Sequence, residues 1–123
     1  MFLGWIPLRE IPFYFSMADV VYYGLDIYHI NTPYNAPNAL GYALALGRPL
    51  IATESGDLGR IVKEENCGIL IKEASTDEIV DAINKLRDNH FRELLKKNAV
   101  RAGREKYNWN IMEKKLLKIY RDF

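Results

Sequence analysis

Cysteine occurs once, at Cys67, so no internal disulfide can form and a reducing cytoplasm is the expected setting. The two histidines, His29 and His90, lie far apart and make no metal-ligand pattern. No apolar run approaches the roughly 20 residues needed to cross a bilayer. The N-terminal stretch Met1–Trp5 has no basic segment ahead of an apolar one and does not read as a signal peptide. A Walker-type loop, a dinucleotide fingerprint, internal repeats and low-complexity tracts are all missing. So are an arginine-rich tract and an interleaved aromatic platform, and nucleic acid is not an expected partner. No cofactor and no metal is implied.

What remains is one ordinary domain's worth of chain. The 123 residues are 49% hydrophobic and 27% charged, a globular balance that excludes disorder. The net charge of +1 conceals an asymmetry. Residues 1–84 carry five Lys or Arg against eleven Asp or Glu, and residues 85–123 carry twelve against five. Such a split marks either solvated helix faces, the plainer reading, or a basic surface that meets anionic membrane, which ranks last among the functional readings.

The first two-thirds alternates short apolar runs with helical patterns, as βαβ units and a parallel sheet require. Met1–Gly4 reads as the tail of a strand, with a short helix from Pro12 to Met17 and a strand over Asp19–Tyr23. Leu25–Pro37 is a long loop, a length that is uncommon without a function. Asn38 is placed to cap a helix through Leu46, and the small residues Gly41, Ala43 and Ala45 would let it pack closely. Pro49–Thr53 is a buried strand, Ser55–Gly59 turns into a brief helix through Val62, and Gly68–Ile71 is the last strand.

The remainder is helical. Ser75 and Glu78 have capping-box spacing, followed by the stripe Ile79, Ala82, Ile83 and Leu86. Phe91, Leu94, Leu95, Ala99 and Ala102 form a second stripe. Asn108 caps a third helix with Trp109, Met112, Leu116, Ile119 and Tyr120 on one face. All three stripes are expected in the core.

In open parallel sheets, ligands sit at the carboxyl ends of the strands. Two places qualify. The helix start Pro37-Asn38-Ala39-Leu40 offers free amides and a positive dipole end suited to a diphosphate. Ser55-Gly56-Asp57 offers a close backbone approach, although Glu54 and Asp57 would repel an anion there. The plainer alternatives are that Asn38 only caps and Gly56 only turns. His29 in the long loop has no evident catalytic companion, and Cys67 beside an apolar run reads as buried.

The order of these segments resembles the second half of the nucleotide-sugar-binding domain of retaining GT-B glycosyltransferases of family 4. The pieces are Phe2-Leu-Gly-Trp-Ile-Pro7, Tyr14-Phe-Ser-Met-Ala-Asp-Val20, and Asn35-Ala-Pro-Asn-Ala-Leu-Gly-Tyr-Ala-Leu-Ala-Leu-Gly-Arg-Pro-Leu-Ile-Ala-Thr53. Ser55-Gly-Asp-Leu-Gly-Arg-Ile-Val62, Asn66-Cys-Gly-Ile-Leu-Ile71 and Tyr107-Asn-Trp109 follow in the family's order. The resemblance implies a truncated Rossmann-like α/β three-layer sandwich over residues 1–123, with a short parallel sheet and C-terminal helices. It implies a UDP- or GDP-linked sugar on Asn35, Ala36, Pro37, Asn38, Ala39, Leu40 and Gly41, together with Ser55, Gly56 and Asp57.

The departures from that pattern are specific. Pro33 and Gly41 fall where the family carries two glutamates, the second of which holds the ribose. Ala39 stands in place of a frequent lysine, Gly56-Asp57 in place of Gly-Gly, and Arg60 in place of a glutamate. No catalytic residue is therefore assigned. Against the family pattern, the acceptor domain and the opening βα units are missing. The expectation is a partner chain that supplies them, or a non-catalytic module that self-associates through a strand edge near Met1–Gly4.

Overall fold

The computed structural model describes all of residues 1–123. Three strands, β1 (Val21–Tyr23), β2 (Leu50–Thr53) and β3 (Gly68–Ile71), form one parallel sheet in the order β1-β2-β3. Val21 pairs with Leu50, and Leu50 pairs with Gly68. Around it lie α1 (Ile11–Met17), α2 (Asn38–Ala45), α3 (Gly56–Glu65), α4 (Thr76–Leu86), α5 (Asn89–Glu105) and α6 (Trp109–Asp122). Parallel strands need crossover connections, and α2 and α3 supply them.

The pleat of β2 divides the core. Leu50 and Ala52 point toward α2 and α3, where they meet Leu40, Leu44, Leu58 and Val62. Ile51 points the other way and joins Ile71, Ala82, Leu86 and Leu95 beneath α4. All four β2 residues are buried, as a central parallel strand covered on both faces must be. The result is the expected three-layer α/β sandwich. Helix α5 serves both layers, with Leu95 in the second cluster and Ala99 and Ala102 in the first. It lies across the amino ends of the strands, where Asn98 donates to the Asn66 carbonyl at 2.8 Å.

Helix starts follow the side chains where capping residues exist. Asn108 and Asp88 accept from the amides of Ile111 and Phe91. Ser75 and Glu78 form the reciprocal box. The Glu78 carboxylate accepts from the amides of Lys72 at 2.7 Å, Glu73 at 3.0 Å and Ser75 at 3.2 Å. Those donors, Lys72 first, hold its pKa below the usual value of 4.5. A carboxylate with a depressed folded-state pKa stabilises the fold above its unfolded pKa, and that contribution fades as pH falls through the folded value. Glu78→Gln should therefore lower the urea midpoint at neutral pH, and the gap to the parent should narrow as pH falls below 4.5.

Four expectations need correction. Met1–Gly4 is not a strand, because it pairs with no neighbour; the free edges of the sheet are the outer sides of β1 and β3. Asn38 does not cap α2. Pro37, in extended conformation, holds the cap position, no side chain caps the helix, and Asn38 is its first residue. Close packing of α2 does not use Gly41, where an added Cβ would meet nothing within 4 Å. It uses Gly103 of α5, where a Cβ would lie 3.0 Å from the Leu44 carbonyl oxygen. Lastly, the third apolar stripe is not core: no residue of α6 is buried, and Tyr120 is 72% exposed. Periodicity shows that a helix has an apolar face but not what covers it.

Candidate functional site

Because β1 and β2 are parallel neighbours, the segments that leave their carboxyl ends emerge side by side. One is the loop from Gly24 to Pro37; the other is Glu54-Ser55 leading into α3. The loop is less irregular than its composition implies. The Asp26 carboxylate accepts from the Tyr28 amide at 2.9 Å, the Thr32 hydroxyl donates to the Asp26 carbonyl, and Thr32–Tyr34 makes one tight helical turn. Buried Thr53 at the end of β2 accepts from the Leu25 amide at 2.8 Å and ties the loop's start to the sheet.

The tight turn seats the second candidate place against the loop that leads to the first. Gly56, at φ +58°, lies against it so closely that an added Cβ would sit 2.5 Å from the Pro33 carbonyl oxygen. Only glycine accommodates both that backbone angle and that approach. The α3 start is thus packed on the loop that feeds the α2 start.

Both starts present unpaired donors. Of the first α2 amides, Leu40 is already used, donating to the Pro37 carbonyl at 3.1 Å; those of Asn38 and Ala39 have no protein acceptor. The amides of Gly56, Asp57 and Leu58 have none either, since the Ser55 hydroxyl does not cap α3. Two helix dipoles therefore turn their positive ends to the carboxyl edge of the sheet. Asn35, Ala36 and Pro37 form the extended approach to α2, and Gly41 sits one turn into it, exposed.

Beside the α3 start is a depression of about 300 Å³ lined by Glu54, Ser55, Gly56, Gly59, Arg60 and Lys63. The carboxylates that count against an anion are partly neutralised. Arg60 holds Asp57 at 3.1 Å and Glu64 at 2.9 Å, and Lys63 stands 4.0 Å from Glu54. The Asp57 hydrogen bond, with Glu64 next, pushes the Arg60 pKa further up, so its charge is permanent. Arg60 and Lys63 were not expected as lining residues, although the place of Arg60, three residues after Asp57 and four before Glu64, was a legible pairing signal.

The remaining candidates fall away from this place. His29 turns to its own loop, where Nδ1 accepts from the Asn31 amide at 3.2 Å. Cys67 is buried, and desolvation, with Glu65 nearby, pushes its thiol up to about 11, so it is not a nucleophile. No group of three or more metal-ligating side chains converges anywhere. No helix is long and apolar enough to cross a membrane.

The family model described as "Glycosyl transferases group 1" matches residues 1–89. The chain belongs to that family. An uncharacterized glycosyltransferase of Methanocaldococcus jannaschii is 30% identical over 122 residues, which are 98% of this chain and 30% of the relative. YtcC of Bacillus subtilis, provisionally named a glycosyltransferase, is 30% identical over 126 residues, 98% of this chain and 29% of the relative. The chain thus spans about three-tenths of the curated relatives it matches.

Among solved structures, sucrose-phosphate synthase from Thermosynechococcus elongatus superposes with a TM-score of 0.81 at 25% identity, over 99% of this chain and 29% of that one. WaaG, a glycosyltransferase involved in lipopolysaccharide biosynthesis, shares the fold, with a TM-score of 0.62 at 20% identity over 82% of this chain and 26% of that one. The group 1 chain is accordingly a Rossmann-like piece of the GT-B architecture.

Proposed function

We propose that this chain is the second half of a family 4 donor-binding domain and holds the diphosphate of a UDP- or GDP-linked sugar for glycosyl transfer. The observation that carries the reading is that α2 and α3 both begin at the carboxyl edge of the sheet with unpartnered amides, at Asn38, Ala39 and Gly56–Leu58. Backbone donors with a positive dipole end bind phosphate without needing the glutamates that Pro33 and Gly41 replace. Transfer itself would draw its acceptor side, and any catalytic side chain, from residues beyond these 123, in a cytoplasmic setting.

A panel of UDP- and GDP-sugars tests this through the melting transition. A donor at about 100 times its Kd should add roughly 2.7 kcal/mol to stability. No shift with any donor at millimolar concentration would refute donor binding by this chain. Gly41→Glu is an informative companion. There is open space for the side chain, and glycine inside a helix costs about 0.5–1 kcal/mol relative to alanine. The variant should be at least as stable as the parent, and it should bind the donor more tightly by restoring a carboxylate one turn into α2.

A second reading, an interaction module that pairs with its own copy or a separately encoded partner, is favoured by two observations. The outer edge of β1 is unpaired, and α6 carries Trp109, Leu116 and Ile119 exposed on one face. Sedimentation of the chain alone should then show a dimer at micromolar concentration; a monomer mass throughout would remove the self-pairing form.

A further inference from the structure

A second concave surface lies on the opposite edge of the molecule. It is a depression of about 550 Å³ between the C-terminal end of α2 and the exposed side of α5, lined by Arg48, Lys96, Lys97, Arg101 and Arg104, with Glu105 as its sole acidic lining residue. Arg48 directly precedes Pro49 and β2, so the depression sits at the amino ends of the strands, away from the starts of α2 and α3.

Its charges are poorly matched within the protein. Lys96 pairs with Glu93 at 2.8 Å, but Lys97, Arg101 and Arg104 form no ion pair. These three follow one another at i, i+4 and i+7 along α5, where like charges repel unless something between them is negative. Arg48 is held from behind: its Nη1 donates to the Ala18 carbonyl at 3.0 Å, while its buried Nε has no acceptor. Cations clustered in this way raise the local positive potential.

We infer that this depression is a second anion site, one that takes a small phosphate-bearing solute rather than a bilayer. The recessed part of the lining favours the solute: Gly47 is buried and Arg48 half-buried at the junction of α2 and β2, whereas Lys97, Arg101 and Arg104 are exposed. Arginine forks and the lysine ammonium together match phosphate oxygens. A ligand bound here stands apart from the carboxyl edge, so it acts on the fold's stability rather than in the proposed transfer reaction.

The test is a titration of the full chain with inorganic pyrophosphate at low salt, following backbone amide shifts. The expected result is saturable movement of Gly47, Arg48 and residues 96–104, separate from any movement at Asn38–Ala39 or Gly56–Leu58. Lys97→Glu/Arg101→Glu should weaken the α5 response by about tenfold or more and leave the other edge unchanged, with Arg101→Gln as a milder variant should the double reversal fail to fold. Unmoved α5 amides at about 10 mM pyrophosphate would overturn the inference. So would an α5 response that survives charge reversal. Pelleting with phosphatidylglycerol vesicles in the absence of any pyrophosphate response would overturn it too, in favour of a membrane patch.

Discussion

Gly56→Val should both destabilise the fold and weaken the nucleotide binding proposed at the carboxyl edge. The residue adopts φ +58°, and its Cβ would stand 2.5 Å from the Pro33 carbonyl oxygen and 3.3 Å from that of Thr32. A side chain in the left-handed region costs about 1–3 kcal/mol, and a branched one is the least tolerated. The contact adds to this, because a Cβ at that distance forces the Thr32–Tyr34 turn away from α3. Thr32 is buried and its hydroxyl is bonded to the Asp26 carbonyl, so the displacement would spread into the loop. Nucleotide affinity should fall by about tenfold or more, equivalent to about 1.4 kcal/mol, since the two sets of amides no longer face one ligand. Gly41→Ala is the control: nothing lies within 4 Å of its Cβ, and it should keep both fold and affinity. Equal loss in the two variants, read by denaturant unfolding and by titration, would show that Gly56 has no special part.

Leu44→Ala should produce the other large effect, on stability. Leu44 is 1% exposed and belongs to the cluster that joins α2, α3, α5 and the sheet. Large-to-small changes at such positions cost about 2–5 kcal/mol through lost transfer energy and an unfilled cavity. Against the roughly 5–15 kcal/mol typical of a domain, that is a large share of the whole. The urea midpoint should drop with an unchanged slope, the mark of lost stability without a change in the surface exposed. The cost should be high because the α2–α5 contact has little room to close: a Cβ on Gly103 would already lie 3.0 Å from the Leu44 carbonyl oxygen. A change below about 1 kcal/mol would mean that α2 packs loosely.

How far the fold could be read beforehand depended on whether the signal was local. Pro49–Thr53 and Gly68–Ile71 are short unbroken apolar runs beside glycine and proline, and they became strands within a residue or so of the expected bounds. Ser75, Glu78 and Asn108 announced their helices because a capping side chain acts on amides two or three residues away. Asn38 misled for a related reason. Asparagine is a strong cap, but Pro37 already supplies the extended conformation that the cap position needs, so Asn38 moved one place into α2. Phe2 and Leu3 form an apolar run too short to distinguish a strand from an uncovered segment.

Features that depend on residues distant in the chain were not legible. Arg48 and Arg101 share a depression only because α5 folds back under the sheet, and no spacing rule joins them. The approach of Gly56 to Pro33 is of the same kind: the glycine was visible, its neighbour was not. By contrast, the segment order that resembles GT-B donor-binding domains was carried entirely by local pieces, and the family match over residues 1–89 agrees with it.

Whether the free amides of α2 and α3 jointly hold a nucleotide diphosphate is tested most directly by titrating the chain with UDP and with GDP while following every backbone amide. The predicted result is saturable movement confined to Asn38–Ala39 and Gly56–Leu58, the two helix starts whose donors are unpaired. No movement at millimolar nucleotide, or movement at only one of the two starts, would contradict it.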